Sequence, residues 1–467
     1  MLSYEKPFAE AKGTKYSAES PISKKLIIFV RKHADSMDRR DFIKTAAAAG
    51  AAYAFASCGP LFAAGEKDPA AGQTLAPWKK GQFQVHFIYT GAAESLFLIF
   101  PDGTTMLLDC GEQDTVALGE RAVPRLPDHS RLAGEWIARY VSRVNPHGTD
   151  VDYMMLSHYH CDHAGCETVY SYDASAEALP YALSGFGEAA QTLRFGKAFD
   201  RCWPDYTEPI PLLDDQKRVM SQMRKFYAWQ QEHRGLAVER FLVGAVDQVR
   251  MLHRPSAYPA FHIRNLCGNG WIAAPDGALI DLYAGEKEGK ERINENAFSL
   301  GMVFSYGPFR FYSAGDFSHR WNKADGTPVD IEKEMAKVVE SCQVAKINHH
   351  GHHSMPTELV AALRSRVWIC STWNQRHCTD DMLEHLEDRG AYPGERLVCP
   401  CLMPFERRVT MDVNGDTGLL DDVAKDSFEA GHVVLTVEKG GRDYSVTYVK
   451  AADESMQVRS VMRFKSV

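Results

Sequence analysis

The stretch VDYMMLSHYHCDHAGC, residues 151–166, runs a short, largely apolar segment straight into His158, His160, Asp162 and His163. A bounded apolar run of this length reads as a buried strand, so imidazoles and a carboxylate are concentrated at a strand end. On an extended segment, residues two apart share a side, which lets His158 and His160 reach one cation. The turn through Asp162 and His163 presents an oxygen and another nitrogen to a second. Two ions need more ligands than these four, so the fold must bring the rest from elsewhere in the chain.

The second half supplies candidates. AFSLGMVF and FRFYSAGD read as two strands around the turn YGP, and the second ends in Gly315–Asp316. A helix is expected near 330–341, followed by the strand VAKIN and the cluster HHGHHS. Asp316 as a bridging carboxylate would hold two ions about 3.5–4 Å apart, the spacing of two-metal hydrolases. His349 or His350 completes the set, and only one of the two is required. His352 and His353 are expected to face solvent or to support a ligand from behind.

The remaining pattern belongs to an α/β chain of layered α+β type. QFQVHFIYT, SLFLIF and TTMLLD read as a meander, and RLAGEWIARYVSRV places Leu132, Trp136, Ile137, Tyr140 and Val141 on one helical face before Asn145–Pro146 stops it. A long amphipathic helix is read over 214–235, a further helix from Pro356, and a buried strand at VWICST. Mixed sheets covered by helices follow, with the polar clusters at strand ends. The organisation read from the chain is an N-terminal extension with signal (1–64), a linker (65–80), a main domain (81–402) with an insertion at 167–295, and a C-terminal extension (403–467) of strands around the turn KGGR. Trp203, Tyr206 and Trp229 of the insertion are candidate pocket walls, although aromatics of this kind are usually core.

MDRRDFIKTAAAAGAAYAFASCGP, residues 37–60, joins Arg39–Arg40 to an Ala-rich apolar run. That order of twin arginine, apolar run and small residues resembles a twin-arginine export signal. Its apolar part is far shorter than the ~20 residues of a spanning helix. Phe55-Ala56-Ser57-Cys58 resembles a lipoprotein cleavage box, with Cys58 as the residue that would carry lipid and anchor the protein to the cell envelope; otherwise the product is periplasmic. A signal of ordinary form would start at Met37. The eleven cysteines show no C-x-x-C pair, so no zinc-ribbon spacing is present. A net charge of −8 gives no basic face for duplex nucleic acid, which points to a small or short oligomeric substrate.

HYHCDH matches the H-x-H-x-D-H signature of the metallo-β-lactamase superfamily. TTMLLDCG resembles the strand ending in that family's first conserved acidic residue, at Asp109. The segments VHFIYTGAAESLFLIFPDGTTMLLDCG, MLSHYHCDHAG, FYSAGD and INHHGHHS resemble, in order, the hydrolase domain of ComEC-type competence proteins over residues 85–375. The resemblance implies an αββα sandwich with a dinuclear site where the two sheets meet. Asp109 would then fix the His loop from behind. Two departures stand out. No convincing counterpart exists for the family's further metal-binding His, since His253 and His262 lack its surroundings. GAAES, Gly91–Ser95, replaces a GQGD-type turn, so a polar contact beside the site is expected to be lost.

What the resemblance implies chemically is hydrolysis by a metal-bound hydroxide, because divalent ions lower the pKa of bound water towards ~7. Asp162 would both ligate and orient that water or take its proton. Zinc suits the nitrogen and oxygen donors, with manganese or iron as alternatives. A phosphodiester is the first choice of substrate. Lactam, lactone or thioester hydrolysis, iron-dependent oxidoreduction, and a non-catalytic binding role are the rival readings.

Overall fold

The structure is a computed structural model and describes residues 70–166, 179–206, 214–283, 294–322 and 326–466. The export signal, Cys58 and the first part of the linker lie outside the described residues. No helix among the described residues is long and apolar enough to cross a membrane.

The meander forms where the sequence shows consecutive β-type runs. Phe83–Phe87, Leu96–Ile99 and Thr105–Leu108 pair antiparallel, and the sheet continues in parallel through Asp150–Met155, Arg194–Asp200 and Ala237–Arg240. On its other side Phe83–Phe87 pairs with Gly431–Val437, which is followed by Asp443–Lys450 and Val458–Lys465. The second large sheet is ordered Leu397–Pro400, Val367–Cys370, Val344–Lys346, Phe309–Ser313, Gly301–Tyr306, Phe261–Gly268, Trp271–Ala273 and Leu279–Asp281. Its first four strands run parallel.

The alternate faces sort into layers. Phe83, Leu98, Met106 and Met155 of the first sheet share one buried core with Ile263, Met302, Phe304, Phe311 and Ile369 of the second. Phe83 stacks on Phe304 with ring centroids 5.5 Å apart; a buried Phe of this kind is worth about 1.5–3 kcal/mol relative to exposure. The outer face of the first sheet packs on the helix Ala133–Val144 through Ile137, Tyr140 and Val141, and on Asp214–Arg234 through Met223, Phe226 and Tyr227. The outer face of the second packs on Ile331–Ala336, Thr357–Leu363 and Asp380–Glu387. Helices therefore cover both outer faces of two mixed sheets.

Three readings need refinement. The stretch 167–295 contributes Arg194–Asp200 and Ala237–Arg240 to the first sheet and three strands to the second, so the core of the domain runs through it. Within 403–467, read from the sequence as strands, Phe405–Asn414 is a helix preceded by Pro404 and ended by Gly415 at φ 86°. The end of the linker is docked: Gly72 and Leu75 donate backbone hydrogen bonds to the Val458 and Met456 carbonyls, both at 2.8 Å.

Parallel strands joined by helical crossovers send all their carboxyl ends to one edge. Asp109 follows Thr105–Leu108, the His motif follows Asp150–Met155, Asp316 follows Phe309–Ser313, and His349–His350 follow Val344–Lys346. Layered folds of this kind place ligands outside such strand ends.

Candidate metal centre

Four buried donors meet at that edge. One ligand atom from each of Asp162, His163, Asp316 and His350 lies within 4.8 Å of the others, a group that could hold a metal ion. His350 Nε2 is 3.1 Å from both Asp162 Oδ2 and Asp316 Oδ2, and His163 Nε2 is 3.2 Å from Asp316 Oδ2. His158 Nε2 faces His160 Nδ1 at 2.9 Å and lies 4.0 Å from the same Asp316 oxygen. His349 lines the same cleft but lies outside the four-donor group, and its Nδ1 meets Ser318 Oγ at 3.2 Å. His353 is exposed against Asp381, while His352 lines the cleft.

The supports are as buried as the donors. Asp109, itself at φ 60°, accepts from the Ser157 N–H and Oγ–H and lies 2.7 Å from His163 Nδ1, so it fixes both the loop and the imidazole. Gly111 leaves room for this arrangement, because a Cβ there would lie 1.9 Å from the Asp162 carbonyl oxygen. His350 Nδ1 donates to the Ser371 carbonyl at 2.9 Å, leaving Nε2 to face the carboxylates.

Sequence reasoning missed four residues behind or beside His350. Glu94 lies in GAAES, the turn expected to have lost its polar contact. Its carboxylate is instead 3.1 Å from Lys346 Nζ and 3.3 Å from His350 Nδ1. The only signal for Lys346 was a lysine inside the apolar run VAKIN. His377 stacks on His350 with centroids 4.9 Å apart, and Trp373 meets it edge-on; both sit in a loop without a distinguishing pattern. Trp203, Tyr206 and Trp229 pack on the outer core of the first sheet, whereas Asn294 and Asn296 line the cleft.

The donors fit a cation by two observations. His163 Nε2 and Asp316 Oδ1 are buried without a hydrogen-bond partner, and two carboxylates share a buried space that is costly to leave uncompensated. Burial opposes charge on His163, yet Asp316, Asp162 and Asp109 outweigh it and hold its pKa well above the usual imidazole value. The same balance, with Asp316 first among the opposing charges, raises that of His350. Burial disfavours the Asp162 charge, but His163 and His350 overcome it and bring its pKa to about 2.

These directions give a pH window for the metal-free protein. The raised imidazoles contribute stability fully below about 6.5, which is lost as pH rises through their folded values. Asp162 contributes above about 3.8, and this is lost as pH falls towards its folded value. Stability should therefore be greatest between about pH 4 and 6.5. Zinc added at neutral pH should displace protons from His163 and His350. Calorimetric titrations in two buffers of different ionisation enthalpy are expected to give different heats, with affinity rising with pH. Identical heats would mean that these imidazoles are already neutral or do not ligate.

Residues 36–56 match the TAT (twin-arginine translocation) pathway signal sequence. This match suggests export across the membrane. No curated protein matches the chain. No disulfide joins the described cysteines, and Cys110, Cys267 and Cys399 are buried among apolar neighbours.

Proposed function

We propose that this chain is an exported metal-dependent hydrolase of the metallo-β-lactamase type, acting first on phosphodiester-class substrates. The observation that carries the reading is the meeting, in one cleft, of His158 and His160 as one pair of donors and Asp162, His163 and His350 as another, with Asp316 Oδ2 between them. The helix, sheet, sheet, helix layering and the strand-end position of the cleft support the family resemblance.

Divalent ions held by these residues would lower the pKa of water and neutralise charge developing on a substrate oxygen. The chain's own groups do the positioning. Asp109 and the Ser371 carbonyl aim His163 and His350, the Glu94–Lys346 pair backs His350, and Asp162 Oδ2 is the carboxylate oxygen placed to orient a water or accept its proton. The cleft, of about 570 Å³, is lined at its mouth by Arg121, Arg218 and Arg376. Guanidinium groups suit phosphate oxygens, which favours a phosphodiester over a neutral lactam or lactone.

The test compares zinc- or manganese-loaded protein on bis(p-nitrophenyl) phosphate, a short single-stranded oligonucleotide and a chromogenic cephalosporin. Turnover of the phosphodiesters, lost in His160→Ala, is expected. Turnover of the cephalosporin alone would replace the substrate class, and metal-loaded protein that turns over none of them would favour a redox or binding role.

A further inference from the structure

We propose that His147, Asp152 and His253 form a second, surface metal site for a zinc-class divalent cation, at the opposite end of the first sheet from the cleft. Three segments distant in sequence meet there. His147 lies in the turn that follows the helix Ala133–Val144, Asp152 lies in the strand Asp150–Met155, and His253 lies in the loop before Pro255–Ala257. One donor atom of each is within 4.8 Å of the other two. His253 Nε2 is 3.1 Å from Asp152 Oδ2, and the two imidazole rings are 4.8 Å apart. That separation suits ligand atoms each about 2.0–2.2 Å from one tetrahedral ion.

Each candidate ligand is held in place by further hydrogen bonds. Asp102 Oδ2 accepts the N–H groups of His253 and Arg254 at 2.8 and 2.7 Å, and Thr104 Oγ1 accepts that of Leu252 at 2.7 Å. Asp152 Oδ2 accepts from the Thr105 N–H at 2.9 Å and from its hydroxyl at 3.1 Å. His147 Nε2 donates to the Gly103 carbonyl at 2.9 Å, which leaves Nδ1 as the nitrogen with a lone pair. A ligating imidazole commonly gives its other N–H to a carbonyl in this way.

Two exposed imidazoles from separate segments gain little by packing on each other, whereas a shared cation accounts for their convergence on one carboxylate. Two nitrogens and one oxygen suit zinc better than calcium or magnesium, which prefer all-oxygen sets. Solvent exposure leaves a fourth position to water. The ion would tie the loop ending at His253 to the sheet, alongside the Tyr153 hydroxyl that donates to the Arg250 carbonyl at 3.0 Å. His158 lies six positions after Asp152, about 20 Å along an extended chain, so this site is chemically independent of the cleft and of the function proposed for it.

The test uses zinc alone as the probe on the full chain. His147→Gln/His253→Gln alters exposed side chains and keeps hydrogen-bonding groups, so circular dichroism should be unchanged. After equilibrium dialysis against zinc, this variant is expected to hold one equivalent less than the parent. In a chain whose cleft is emptied of tightly held metal by Asp316→Ala, one equivalent should remain and zinc should still raise the Tm. Adding the two Gln substitutions should abolish both effects. Equal zinc content in the parent and the His147→Gln/His253→Gln chain, or no zinc bound by the Asp316→Ala chain, would overturn the proposal.

Discussion

Asp316→Ala is expected to empty the cleft of tightly held metal and to lower phosphodiester turnover by on the order of 10³-fold, the scale on which single electrostatic contacts register in catalysis. The reason is positional. Asp316 Oδ2 is 3.2 Å from His163 Nε2, 3.1 Å from His350 Nε2 and 4.0 Å from His158 Nε2, so one oxygen serves both halves of the donor set. Its neighbours Ala314 and Phe317 stay in the core of the second sheet, so the fold should survive. Metal content by mass spectrometry, measured beside turnover, separates the outcomes. Unchanged metal with lost turnover would make Asp316 a substrate contact, and unchanged values of both would remove it from the site.

Arg201→Met should cost about 3–5 kcal/mol of stability, the usual penalty for stranding one partner of a buried ion pair. Arg201 Nε and Nη2 donate to the two Glu295 oxygens at 2.7 and 2.8 Å, and Nη1 donates to Asn269 Oδ1 at 2.6 Å. Its guanidinium lies between the rings of Tyr159 and Phe298, 4.6 and 4.8 Å from their centroids. Met fills similar volume but leaves the Glu295 charge buried without its partner. Adding Glu295→Leu should recover part of the loss, as replacing whole buried pairs often does. Glu295 also accepts the N–H of Tyr159 at 2.9 Å, so Leu in its place leaves that buried donor unpaired and the recovery should be incomplete. Denaturant unfolding of the single and double variants is the measurement, and a loss below about 1 kcal/mol would show that Glu295 is neutralised by other means.

The donors of the first sheet were legible because they sit within six residues of one another behind a strand. Asp316 and the His349–His350 pair were legible because strand ends are recurrent places for ligands. Choosing between His349 and His350 was not possible from sequence: both residues adopt left-handed backbone, at φ 48° and 53°, and that local turn decides which ring faces the carboxylates. Glu94, Lys346 and His377 were illegible for a related reason. Their significance arises only when two sheets pack, and a turn read by itself as GAAES carries no sign of the lysine it will meet across the interface. Of the strands missed in 167–295, Arg194–Asp200 and Ala237–Arg240 pair parallel, where clean alternation is not expected, while Phe261–Gly268, Trp271–Ala273 and Leu279–Asp281 pair antiparallel, the last two over only three residues each.

Asp162 and His163 belong to the first sheet, Asp316 and His350 to the second, and neither pair surrounds an ion alone. Order of assembly follows from that division. A nascent chain that has made only its first half offers incomplete ligands, so firm capture must await closure of the shared core. Metal selection then occurs in whichever compartment the closed domain first meets free ion. If the domain closes before the export that its signal suggests, that compartment would be the one on the near side of the membrane, and the ion supplied there, rather than the ion most abundant outside, would be the one such a site takes up.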